Sequence, residues 1–349
     1  MNERRMSECQ QSAQQEIGID RKVAFLESPT AYPEQPSSVE RIETHFSWVF
    51  LTERRVYKLK KPLRGEGSDF SSADARRRNA EEEVRLNRRL ARDVYVGIVP
   101  LTLERGSDLA ISGAGVVVDW LVEMVRLSAE RMLDHRLARG DWRRADINAL
   151  ADRLARFFAA ARRVNITPTV YLDRFRTECD DSRQALQSGG PALRHAAQCV
   201  ARRVEAFIDR RKDLLLQRLV SGRVVEGHGD LRPEHICLGS TPHIIDCLEF
   251  RADLRFLDPV EELAFLTMEC DRMGARGIGP VLFRHYRLSA RDTPPPVLIN
   301  FYRGIGALIR ARIAILHLRE SPVRDPAKWP RRAAEYLAIA TRAARHLDR

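Results

Sequence analysis

EGHGDLRPEHICLGSTPHIIDCLEF, residues 226–250, sets two aspartates, Asp230 and Asp246, around a short apolar hairpin, with His228 before the first and His235 after it. The apolar runs HICL and PHIIDCLEF flank the turn-like GST, so the pattern predicts two short strands. Asp230 then precedes the first strand, Asp246 lies within the second, and both carboxylates, which read as buried, approach one point. Two acids converging beside a phosphate-sized space suit metal-dependent phosphoryl transfer. One orients an attacking hydroxyl and accepts its proton, and the other holds a divalent ion against the phosphates. A third ligand five residues after Asp230 completes such a site, and His235 stands there.

Working outward, the 349 residues are 44% hydrophobic and 31% charged, enough to bury a core in one large domain or two lobes. Net charge is +11, carried by 53 arginines and only 6 lysines. The charge is spread along the chain and not gathered into a basic tail, which favours wet arginine stems lying over apolar surface and disfavours nucleic acid as a partner. The six cysteines form no CxxC pair and no metal spacing with histidine, and read as free thiols in a reducing compartment. The start MNERRMSECQQSAQQEIG is too polar for a signal peptide, and no 18-residue apolar run occurs. The expectation is a cytoplasmic protein without a membrane partner, its first 20 residues loosely ordered.

Along the chain, VERIETHFSWVFL and RVYKLKKPL read as opening strands of an antiparallel sheet, separated by TERR. A helix follows from Ser72 to Ala91, with Asp69 or Ser71 as candidate caps. LTLERGSDLAISGAGVVVDWLVEMVRL adds two or three strands. Beyond Arg126 the pattern turns helical, with a long run from about Ala192 to Val220, resuming after the quoted stretch with PVEELAFLTMECDRMG and FYRGIGALIRARIAILHLRE. This predicts an α+β chain: a small β-rich N-lobe over 21–125 and a larger α-helical C-lobe over 126–349, with its catalytic loop at 226–250.

HGDLRPEHICL followed by IIDCLEF resembles the catalytic segment of the aminoglycoside phosphotransferase and choline kinase-like superfamily, of protein-kinase-like fold. In the N-terminal part ETHFSWVFL, YKLKKP and EEEVRLNRRLARDVYVGIVPL are similar to uncharacterised bacterial members of that superfamily. Some of those carry an extra P-loop ATPase domain. This chain has no GxxxxGK[ST], so the resemblance is to stand-alone members lacking that half. It implies a two-lobed fold with ATP and Mg²⁺ between the lobes and transfer of the γ-phosphate to a hydroxyl of a small-molecule acceptor held by the helical lobe. It makes Asp230 the catalytic base, Asp246 the metal-binding acid and His228 the histidine that braces the catalytic loop.

Such a site wants one lysine on a strand, paired with a helix glutamate, to contact the phosphates. Lys58, Lys60 and Lys61 are half the lysines of the chain. Alternation puts Val56, Lys58 and Lys60 on one face; with Val56 against adenine, Lys58 is the first choice and Lys60 the second. Glu83 shares a helix face with Leu86 and Leu90, and is preferred to Glu82 as the partner. The linker from Val122 to Leu127 would present backbone groups of Glu123 and the side chain of Met124 to adenine.

Two features depart from the superfamily pattern. His235 stands where asparagine is usual, and since Mg²⁺ prefers oxygen, an imidazole ligand brings in Mn²⁺ as an alternative. No glycine-rich loop covers the phosphates, which leaves Ser47 or Thr44 to serve. Both departures motivate a second expectation, a nucleotide-binding pseudokinase or scaffold without transfer. Asp258 before Pro259 reads as a helix cap. Glu249 is balanced between metal ligand and backbone partner. Arg303, Arg310 and Arg312 read as a solvated or ion-paired face.

Overall fold

RVYKLK at Arg55–Lys60 (β3) forms a strand because Tyr57 and Leu59 alternate with Val56 and Lys58, giving an apolar face and an amphipathic one. The computed structural model describes residues 17–65, 68–106, 108–319 and 325–348. These divide into two units: one ends at Leu127 and takes in Glu249–Arg251, and the other comprises Ser128–Leu248 and the chain from Ala252 onward.

In the first unit β3 lies between Ser47–Leu51 (β2) and Val116–Val125 (β6) in an antiparallel six-stranded sheet. Glu40–Glu43 (β1), Tyr95–Leu103 (β4) and Leu109–Ile111 (β5) complete it, in the order β1-β2-β3-β6-β4-β5. The stretch VERIETHFSWVFL is thus itself a hairpin, turned where the Thr44 hydroxyl and the Ser47 backbone bond each other. On one face Tyr57, Leu59, Phe50 and Leu121 pack with Leu26 and Tyr32. Leu26 belongs to Ile19–Leu26 (α1), a helix the sequence pattern did not reveal. The expected loose stretch 1–20 lies outside the described residues as far as residue 16.

Against the sheet lies Ala73–Ala91 (α2), whose buried stripe runs through Arg76, Ala80, Glu83, Leu86 and Leu90 at helical spacing. Its cap is Ser72, which accepts from the Ala75 N–H at 3.1 Å. The expected caps do other work: Asp69 accepts from the Ser71 N–H at 2.9 Å and closes the preceding turn. Asp119 of β6, fully buried, joins the layers by accepting from Arg76 at 2.9 and 2.7 Å and from Lys22 at 2.8 Å.

The second unit is helical: Leu133–Arg139 (α3), Arg144–Ala160 (α4), Pro168–Leu186 (α5), Pro191–Arg210 (α6) and Lys212–Val220 (α7) precede the quoted stretch. After it come Pro259–Arg272 (α8), Ile278–Ala290 (α9), Pro296–Leu316 (α10) and Lys328–Ala344 (α11). The run expected to be continuous to Val220 is two helices, because Arg211 leaves helical geometry at φ −119° and ψ 25°. As expected, Asp258 caps α8, accepting from the Val260 N–H at 2.9 Å with Pro259 in the first turn. The buried Arg218 guanidinium clamps the same carboxylate at 2.6 and 3.0 Å, fixing where α8 begins. None of the helices among the described residues is long and apolar enough to cross a membrane. The five described cysteines are all free.

Candidate active site

In the second unit the quoted stretch forms the expected hairpin, but a short one: Ile236–Cys237 (β7) pairs antiparallel with His243–Ile244 (β8). Asp246 lies beyond the second strand, not within it. Its φ of +61° is a left-handed conformation that no strand continues through, and one that aspartate tolerates better than most residues. Nor are the acids buried: the side chains of Asp230 and Asp246 are 25% and 45% exposed. The turn releases the Asp246 carboxylate from the hairpin, leaving its Oδ2 3.5 Å from His235 Nε2.

His235 is oriented by its other nitrogen. Nδ1–H donates to the Asp230 carbonyl at 2.9 Å, which leaves the Nε2 lone pair on the side of Asp246. Asp230 Oδ2 is 3.8 Å from the same ring. Arg232 ties Asp230, Glu234 and His235 together. It donates to Asp230 Oδ2 at 3.0 Å, to Glu234 at 2.7 Å and to His235 Nε2 at 3.1 Å. Burial works to raise the Glu234 carboxyl, but Arg232 and His235 together hold it below the usual carboxylate range.

His228 is fully buried beneath this loop. The Asp230 N–H donates to its Nδ1 at 3.3 Å and its Nε2–H donates to the Ile245 carbonyl at 3.0 Å, so one neutral tautomer bridges the two arms that carry the acids. Burial first, then the neighbouring His235, pushes its pKa down to about 3. Below it sits Glu262 of α8, which the sequence reading missed. Its carboxylate accepts from the His228 N–H at 2.9 and 3.0 Å and from the Gly229 N–H at 2.6 Å. Gly229 has φ +90°, and a Cβ on Gly227 would lie 2.5 Å from Glu262 Oε2, so both glycines of the EGHGD run are required by this anchor. An acid in the first turn of a helix reads simply as a partner for the helix dipole, which is why Glu262 gave no signal. Arg255, 2% exposed, adds a second brace, donating to Glu226 and to the Leu248 carbonyl at 2.9 Å each.

In the first unit Lys58 donates to Glu83 Oε1 at 2.9 Å, and Lys60 pairs with Glu83 Oε2 and with Glu249. The two candidate lysines share one carboxylate. They differ in burial: the Lys60 side chain is 1% exposed and that of Lys58 12%. Glu83 is fully buried, whereas Glu82 is on the surface with Arg85. Glu249, expected as a metal ligand or a backbone partner, is paired with Lys60.

The remaining candidates are placed less openly than expected. Ser47 is fully buried, opposite Lys60 in the ladder, and its hydroxyl has no hydrogen-bond partner among the described residues. Val56 is half-buried and sits opposite Met124. Glu123 and Met124 lie within β6, which continues to Val125, so they are flanked by β3 and β4 and are not part of an open linker. Arg303, Arg310 and Arg312 are each ion-paired, with Asp271, Glu269 and Glu178.

Among the described residues no group of three or more His, Cys, Asp and Glu side chains is arranged to hold a metal ion. His235 and Asp246 nonetheless supply two donors facing one another.

No family model matches the chain. An uncharacterised protein of Mycobacterium bovis and another of Mycobacterium tuberculosis are each 30% identical over 314 residues, covering 87% of this chain. The chain spans 59% of the length of those relatives. Among solved structures, a choline/ethanolamine kinase family protein from Mesorhizobium loti aligns over 94% of this chain and 98% of its own, with 13% identity and a TM-score of 0.54. Choline kinase from Cryptosporidium parvum aligns over 92% and 96%, with 10% identity and a TM-score of 0.53. Taken with the sheet and helix α2 of the first unit and the braced HGD loop of the second, these alignments show that the chain has the fold of the choline kinase-like superfamily, which is the protein-kinase-like fold.

Proposed function

We propose that the chain is an ATP-dependent phosphotransferase that moves the γ-phosphate to a hydroxyl of a small-molecule acceptor. The observation that carries this reading is the grouping of Asp230, His235 and Asp246 on a loop whose histidine and backbone are locked from beneath by Glu262. Asp230 would orient the acceptor hydroxyl and take its proton. Asp246 and His235 would hold Mg²⁺, or Mn²⁺ given the imidazole donor, and the ion would supply charge neutralisation at the phosphates. Lys58, held by Glu83, would contact the phosphates, with Val56 and Met124 beside the adenine. Catalysis of this kind comes from positioning and charge stabilisation, which is what a doubly braced loop provides. The names of the aligned structures, choline kinase and a choline/ethanolamine kinase family protein, support a small-molecule acceptor.

The test is Asp230→Ala, assayed for ATP binding and for ATP-dependent phosphorylation across a pool of small alcohols, amino alcohols and sugars. Binding within about threefold of wild type with transfer reduced at least a hundredfold is expected, as general-base contributions are about 10²–10⁴-fold. Unchanged transfer would remove Asp230 from the role.

A second reading, a nucleotide-binding pseudokinase, is favoured by Arg232. Its guanidinium already occupies the Asp230 carboxylate and the His235 lone pair. On that reading ATP binds without need of a metal, and no acceptor is phosphorylated.

A further inference from the structure

The helical unit contains a cavity of about 600 Å³ lined from α8, α9, α10 and α11, and none of the residues 226–250 takes part in it. That volume is in the usual range for a small-molecule site, about 300–1,000 Å³. Its charge is one-sided: four arginines line it against a single aspartate. Arg303 is already paired with Asp271 at 2.5 Å, and Arg272 with Glu269 at 2.9 Å. Arg276, on the turn between α8 and α9, and Arg342, on α11, have no ion-pair partner among the described residues. His346, one helical turn beyond Arg342, also lines the cavity, as does the amide of Asn300. Phe283, Ile299 and Ile339 supply apolar wall.

Unpaired guanidiniums converging on one concave space repel each other, and an anion there turns that repulsion into paired, charge-assisted hydrogen bonds. The planar fork of arginine matches phosphate oxygens two at a time. We propose that this cavity is a binding site for a small organic phosphate, its phosphate held by Arg276 and Arg342 and its apolar portion against Phe283 and Ile339. The site is separate from the residues assigned to phosphoryl transfer, and stands or falls independently of them.

Phenyl phosphate combines the two expected features and is the probe, titrated calorimetrically into the full chain at physiological salt, with phenol as the neutral control. The expected result is saturable binding of phenyl phosphate and none of phenol. Affinity should fall by about tenfold or more in the Arg276→Ser/Arg342→Ser variant, as befits the loss of charge-assisted bonds. Both arginines are exposed, so that variant should melt like the wild type. Asp230→Ala should bind the probe normally. The proposal is overturned if phenyl phosphate does not bind, or if the double variant binds it equally well.

Discussion

Lys58 and Lys60 reach the same carboxylate from alternate positions of β3, and the difference between them is solvent. Lys60 is enclosed with Glu83 and Glu249, so Lys60→Ala strips a buried cation from two acids. Breaking such a pair costs about 3–5 kcal/mol. Lys58 is the more open of the two, and Lys58→Ala should cost about 1.5–3 kcal/mol, as for one hydrogen bond to a charged group, while weakening ATP binding. Urea unfolding of the two variants checks this; a Lys58 variant less stable than the Lys60 variant would reverse the assignment. The alternation of β3 and the helical phase of Glu83 made this group legible in the sequence, because both are short-range periodicities. Sharing of one glutamate by two lysines was not legible, since it depends on where α2 crosses the sheet.

His228 offers a test of the same kind through pH. Its pKa is lowered from 6.5 to about 3 in the folded chain, so between those values the unfolded chain binds the extra proton. Stability carried by the neutral ring is therefore complete above about pH 6.5 and is lost as pH falls towards 3. In His228→Asn the dependence of unfolding free energy on pH should be shallower by up to one proton across that window. An identical slope in wild type and variant would show that the ring is protonated in the folded protein.

At the scale of elements, the catalytic loop is fixed by α8, and α8 by its cap. Glu262 reaches the loop only because residue 227 lacks a side chain. Gly227→Ala should cost about 1–3 kcal/mol, as overpacking does. Glu262→Ala should cost about 1–3 kcal/mol by leaving the buried His228 N–H unmet, and more to the extent that the partly buried Gly229 N–H goes unpaired. Since both changes act on one carboxylate, the double variant should lose clearly less than the sum. Strict additivity would mean that the Cβ and the carboxylate never meet. The Asp258-Pro259 start of α8 was readable because capping chemistry is local. The left-handed turn at Asp246 and the break at Arg211 were not, as neither residue is a strong breaker and tertiary context imposes both conformations.

At the scale of the whole molecule, the order of strand lysine, helix glutamate, HGD loop and second aspartate made the fold legible, and the structural alignments agree with it over more than nine-tenths of the chain. What the order could not convey was the chemistry between the named positions. Arg232 is one of 53 arginines and nothing in the sequence marks it as the one that holds the Asp230 carboxylate and His235. The arginine-lined cavity likewise depends on how four successive helices pack, which no short-range pattern conveys.

The most direct measurement is thermal melting of wild type and Asp246→Ala with ATP, in the presence of Mg²⁺, of Mn²⁺ and of neither. A ligand at one hundred times its dissociation constant adds about 2.7 kcal/mol by mass action. ATP with a divalent ion is expected to raise the melting temperature of the wild type, and Asp246→Ala is expected to lose the metal-dependent part of the rise. No response from the wild type under any metal would contradict it, and would leave the kinase-like fold without a nucleotide site.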